Sequence, residues 1–179
     1  MPDESLLERA RDFDQEALAE IYDRYADKIY QYIFHRVGSR PIAEDLTADV
    51  FVRVLEAIER GRFAQTSLRA WLYRVAHNIV VDHYRAQPSE QPLLLDERLG
   101  VVSGDPRPRI EARLAQAGLR TALSRLTEKQ HQVIVLRFGE GMTAGEVAQV
   151  MGTTEGAVRA LQHRAVAELR GVLEEATHD

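Results

Sequence analysis

Between Gln87 and Arg109 the chain carries Pro88, Pro92, Pro106 and Pro108 together with Gly100 and Gly104. Proline lacks a backbone donor and its ring clashes with the preceding turn, so no helix interior runs through such a segment. On either side of it, apolar residues recur at spacings of three and four, the mark of amphipathic helices. No alternation of the strand type and no internal repeat is visible. The expectation is an all-α chain of two small helical domains, residues 1–86 and 110–179, joined by a linker over 87–109.

In the first block, Ser5 with Glu8 reads as a capping box. Asp14 is placed to cap a helix whose apolar face is Leu18, Ile21, Tyr22, Tyr25, Ile29, Tyr32 and Ile33. Gly38 ends that helix, and Pro41 suits the first turn of the next. There Leu46, Val50, Phe51, Val54, Leu55 and Ile58 are expected inward, with Gly61 as the stop. After the loop Arg62–Thr66, Ser67 is placed to cap a helix with Leu68, Trp71, Leu72, Val75, Ala76, Ile79 and Val80 on one face. Tyr73 is expected at the core's edge, hydroxyl outward.

The second block ends in a helix-turn-helix pattern over Thr143–Arg164. Thr143 with Glu146 is a capping box, Val147, Ala148 and Met151 form an apolar face, and Gly152 permits a left-handed turn. Thr154 then opens a second helix with Val158, Leu161, Ala165 and Leu169 inward. Its other face carries Glu155, Arg159, Gln162 and His163, with Arg164 beside them. Such side chains donate to or accept from base edges, and a second helix of this kind enters the DNA major groove. Upstream, Thr127 with Gln130 is a further capping box, opening a short helix through Val133, Leu136 and Phe138, and Gly139-Glu140-Gly141 forms the turn that follows.

Net charge is −5. That sum argues against nucleic acid until its distribution is considered. Residues 1–59 hold seven Lys/Arg against fourteen Asp/Glu, whereas residues 60–85 hold Arg60, Arg62, Arg69, Arg74 and Arg85 against Asp82 alone. Local basic patches make phosphate contacts, not the global sum. The same segment interleaves Phe63, Trp71, Tyr73 and Tyr84 with His77, Asn78 and His83. Bases stack on rings while arginine tracks phosphate, so the pattern suits unpaired nucleotides. With no cysteine, disulfides and thiolate metal sites are excluded. No apolar run approaches a membrane span and no leader pattern opens the chain, so a cytoplasmic protein without membrane insertion is expected.

Three motifs then occur in order: Asp45-Leu-Thr-Ala-Asp49-Val-Phe51, Trp71-Leu-Tyr-Arg74-Val-Ala-His-Asn78, and Leu126-Thr-Glu-Lys-Gln130 followed by the helix-turn-helix. In this the chain resembles the extracytoplasmic-function sigma factors, the minimal type in the sigma-70 family of bacterial RNA polymerase. The resemblance implies that Asp45, Asp49, Phe51, Val52 and Leu55 bind core polymerase. It implies that Arg62, Phe63, Gln65, Thr66, Arg74, His77 and Asn78 recognise and melt the minus-10 element. Glu155, Arg159, Gln162, His163 and Arg164 would read the minus-35 element. It further implies an anti-sigma partner, no cofactor, no metal and no catalytic residue, since the polymerase performs the chemistry.

Two other readings compete. A two-domain regulator of the LuxR type would carry a similar C-terminal hairpin, but it leaves the Arg/aromatic segment unexplained. A helical di-metal enzyme would use Glu-x-x-His pairs, and Glu128/His131 and Glu175/His178 have that spacing. Neither pair has a carboxylate partner on an evident inward face.

Overall fold

The computed structural model describes residues 2–63, 66–87, 118–119 and 121–178. The linker residues 88–109 and Gln65 lie outside the described residues. The chain divides into two compact units. The first is built on α1 (Asp3–Arg11), α2 (Gln15–Val37), α3 (Arg40–Glu59) and α4 (Leu68–Ala86). The second is built on α5 (Glu128–Ile134), a π-helical turn (Val135–Gly139), most of α6 (Ala144–Met151) and α7 (Glu155–His178). All regular structure among the described residues is helical.

In the first unit α2 packs against α1, α3 and α4, and α3 packs against α4. The core is formed by Leu6, Ile29, Ile33, Val50, Leu68, Leu72, Tyr73 and Val80, each essentially without solvent contact. Helix ends are set by local chemistry. The Asp14 carboxylate accepts from the backbone N–H of Glu16 and Ala17, and Arg9 Nε donates to its other oxygen at 2.7 Å. That bond from Arg9, followed by the backbone donors, holds the Asp14 carboxyl below its usual range. Gly38 closes α2 at φ 84°, a conformation side chains with a Cβ rarely adopt. Ser67 accepts from Ala70 N–H at 3.1 Å and opens α4. Asp3 ties α1 to α2 through Arg24 at 2.8 Å and through the Tyr25 hydroxyl, whose burial and bond to Asp3 push its pKa up.

Five expectations fail here. The Ser5/Glu8 capping box does not form, because α1 already begins at Asp3, after Pro2, so Ser5 lies inside its first turn. Tyr22 and Leu55 face solvent rather than the core, at 53% and 42% exposure, and Phe51 is only half-buried, with its edge against Tyr22. Tyr73 is fully buried, its ring edge-on to Tyr32 at 5.2 Å, because α4 is apolar over more than one stripe. Trp71 is core, as its position on that stripe predicts.

In the second unit α5 packs against α7, around Leu123, Leu126 and Ala165 with Ile134 and Leu169 at the margin. Both expected capping boxes form: Thr127 with Gln130, and Thr143 with Glu146. Thr154 Oγ1 accepts from Ala157 N–H at 3.2 Å, and Gly152 makes the turn at φ +66°. The short helix opening at Thr127 does not run regularly to Phe138. It widens into the π-helical turn after Ile134, which turns Phe138 outward to 64% exposure while Leu136 stays buried.

Candidate nucleic-acid interface

The surface of α3 opposite its buried Ala43, Val50, Val54 and Ile58 displays Asp45, Asp49, Val52 and Leu55. Val52 at 52% and Leu55 at 42% exposure form, with Tyr22, an apolar strip edged by carboxylates. A groove of about 370 Å³ between α2 and α3 adjoins it, lined by Tyr22, Tyr30, Arg40, Glu44, Thr47 and Ala48 among others.

At the other end of this unit, the loop after α3 and the outer face of α4 bring the Arg/aromatic residues together. Arg62, Arg74 and Asn78 are exposed. Phe63 lies edge-on to Trp71 at 6.1 Å, and the Arg11 guanidinium stands 4.8 Å over its ring. Thr66 follows in the same loop. His77 is half-buried, and Arg36 Nη1 lies 3.0 Å from its Nδ1. Arginine only donates, so Nδ1 accepts and the imidazole proton sits on Nε2. Desolvation, with the Arg36 charge second, pushes the His77 pKa down to about 4, so the ring is neutral at neutral pH. Arg36 also covers the Tyr32 ring, and its carbonyl accepts from the Tyr84 hydroxyl at 2.6 Å.

On α7, Val158 and Ala165 are buried while Glu155, Arg159, His163 and Arg164 are exposed. Glu155 accepts from Arg159 one turn later. Arg164 Nε donates to the Ala160 carbonyl at 3.3 Å. Gln162 is half-buried, and its Oε1 accepts from Arg137 Nε at 2.9 Å. Arg137 Nη1 in turn donates to the Met142 carbonyl at 2.6 Å. Arg137, Arg159, Gln162, His163 and Val166 line a groove of about 400 Å³.

Sequence reasoning passed over Arg11, Arg36 and Arg137, which hold Phe63, His77 and Gln162 in place. For Arg36 and His77 the separation of 41 residues leaves no local signal. Arg137 lies inside an apolar run, and a charged residue there is the hint that it has a partner. The Glu-x-x-His pairs do not converge on a site. Glu128 is exposed while His131 is buried, and Glu175 and His178 are both exposed. No group of three or more His, Asp or Glu able to hold a metal occurs among the described residues. Nor is any described helix long and apolar enough to cross a membrane.

Two family profiles match, sigma-70 region 2 over residues 21–89 and sigma-70 region 4 over residues 122–171. The ECF RNA polymerase sigma factor ShbA of Streptomyces griseus is 31% identical over 186 residues, covering 96% of this chain and 95% of ShbA. The chain belongs to the ECF sigma factors of the sigma-70 family. Another ECF sigma factor, BldN of Streptomyces coelicolor, is 36% identical over 170 residues, which is 94% of this chain but 64% of the length of BldN. Among solved structures, CnrH in complex with the cytosolic domain of CnrY aligns with a TM-score of 0.67 at 26% identity, covering 97% of each chain. With a sigma-70 region on each unit, the LuxR-type reading has no support in this ECF sigma factor.

Proposed function

We propose that this ECF sigma factor binds core RNA polymerase and directs it to specific promoters. The observation that carries the reading is the match of sigma-70 regions 2 and 4, in that order, to the two units. Residues 1–86 would be the domain for core binding and minus-10 melting, 87–109 a linker, and 110–179 the minus-35 reader. On α3, Asp45, Asp49, Phe51, Val52 and Leu55 meet core polymerase. Val52 and Leu55 are desolvated there, while the carboxylates choose a basic counterpart.

Arg62, Phe63, Gln65, Thr66, Arg74, His77 and Asn78 serve the minus-10 element. Arginines track phosphate while Phe63 and Asn78 receive a base that has left the stack. A neutral His77 suits this work, since it offers hydrogen bonds without a second charge. Glu155, Arg159, Gln162, His163 and Arg164 read the minus-35 element. No catalytic residue is required of the chain, because the polymerase performs the chemistry, and its place of work is the cytoplasm. An anti-sigma partner is part of the proposal, and the solved complex of CnrH with the cytosolic domain of CnrY supports a protein partner for such a chain.

Run-off transcription with core polymerase is the test. Core with this chain should start at host promoters where core alone does not. Asp49→Arg should weaken association with core and leave binding of the second unit to DNA intact. Failure of the wild-type chain to associate with core would refute the reading.

A further inference from the structure

Arg137 lies outside the face of α7 that meets DNA in the proposed function, yet its guanidinium is fixed at two points. Nη1 holds the Met142 carbonyl and Nε holds Gln162 Oε1. Because arginine has no acceptor, the orientation of the Gln162 amide is decided: the carbonyl turns to Arg137 and the NH2 group carries the outward hydrogen-bonding capacity. A glutamine free to rotate pairs bidentately with adenine, donating to N7 and accepting from N6. Here the carbonyl is engaged beside a cation, and an adenine amine approaching it meets further donors. Guanine presents two acceptors, O6 and N7, at the same groove edge. Arg159, whose guanidinium lines the same groove, adds donors to that side.

We infer that Arg137 is a positioning residue for base choice: it turns the Gln162 NH2 group outward and leaves the carbonyl, already accepting beside a cation, a poor partner for an amine, so that the base facing Gln162 in the upstream element is guanine rather than adenine. This rests on the reading of α7 as the minus-35 helix.

The test is a template library with a randomised upstream element, transcribed by core polymerase reconstituted with the full chain and read by sequencing. Gln162→Ala identifies the position that Gln162 faces, as the one whose preference collapses. There the wild type should favour guanine over adenine by about fivefold, the low end of the discrimination that base-edge contacts give. Arg137→Leu frees the amide, and should reduce or reverse that ratio at this position alone. If circular dichroism shows that Arg137→Leu does not fold, Arg137→Met serves, since it keeps the length of the aliphatic stem and removes every donor. Three results would overturn the inference while leaving the promoter reading standing: adenine preferred by the wild type, no position altered by Gln162→Ala, or output lowered equally on all templates with the guanine preference unchanged in the Arg137 variant. A wild-type holoenzyme with no upstream preference at all would overturn the promoter reading and this inference with it.

Discussion

Helices α4 and α7 are both opened by a hydroxyl cap and both carry candidate DNA contacts, but they are anchored differently. Of its 19 residues α4 buries eight, including Trp71 and Tyr73. Among the described side chains of the 24-residue α7, those buried are Val158, Ala165 and Val172. The candidate readers on and near α4 are therefore extensions of a core: Phe63 leans on Trp71, and His77 is embedded beside Arg36. Those on α7 are exposed apart from the half-buried Gln162 and are held by local bonds, Arg159 to Glu155, Gln162 to Arg137 and Arg164 to the Ala160 carbonyl. In the first unit recognition and stability share residues. In the second they are largely separable, so its reading face can change without cost to the fold.

The comparison breaks first on core substitutions. Leu72→Ala, at a site with no solvent contact, should destabilise the first unit by about 2–5 kcal/mol, the range for such cavities. Leu161→Ala on the half-buried flank of α7 should cost about 1 kcal/mol or less. Urea unfolding followed by circular dichroism compares them, and equal losses would erase the contrast.

Next in size is the effect of His77 on acid stability. Its pKa in the folded chain is about 4 against an ordinary 6.5, so between those values the unfolded chain binds more protons. Stability should be intact above about pH 6.5 and fall as pH drops towards 4, by on the order of 2–3 kcal/mol from this residue. His77→Gln should flatten that part of the pH–stability curve. An unchanged slope would mean that His77 is not the group responsible.

On α7 the sharper test separates function from fold. Arg159→Ala should lose roughly 1–3 kcal/mol of discrimination at the upstream element if it makes a bidentate base contact. Its exposed ion pair with Glu155 is worth so little that the melting temperature should hardly move. A marked loss of stability would show that α7 is as integrated as α4. The smallest expected effect is that of Thr154→Ala, which removes the N-cap of α7 and should cost about 1 kcal/mol in thermal unfolding. Loss of the whole second unit on that change would mean that its packing depends on helix initiation.

Much of this contrast was legible in the sequence where a single residue type has a single structural use. Asp14, Ser67, Thr127, Thr143 and Thr154 cap helices, Gly38 and Gly152 adopt left-handed turns, and Trp71 fills the core, all as their positions imply. Reading failed where one residue type has two uses. Leu55 and Tyr22 are apolar and at helical spacing, yet they face water, because spacing alone does not say how wide a stripe of the helix its neighbours cover. The π-helical turn leaves no mark in spacing, so the pattern predicts one regular short helix running through Phe138. Side chains that orient the candidate site, Arg36 and Arg137, act on partners 41 and 25 residues distant, beyond any local pattern.

Trp71 is the only tryptophan of the chain, and it is buried against Phe63 in the first unit. The molecule thus carries an intrinsic optical probe on one side only. Indole emission reports the packing around α4 and the loop that begins at Phe63, and a ligand that draws Phe63 away changes the polarity the indole senses. A fluorescence titration with promoter fragments therefore reads out any change in the packing of Phe63 on the indole.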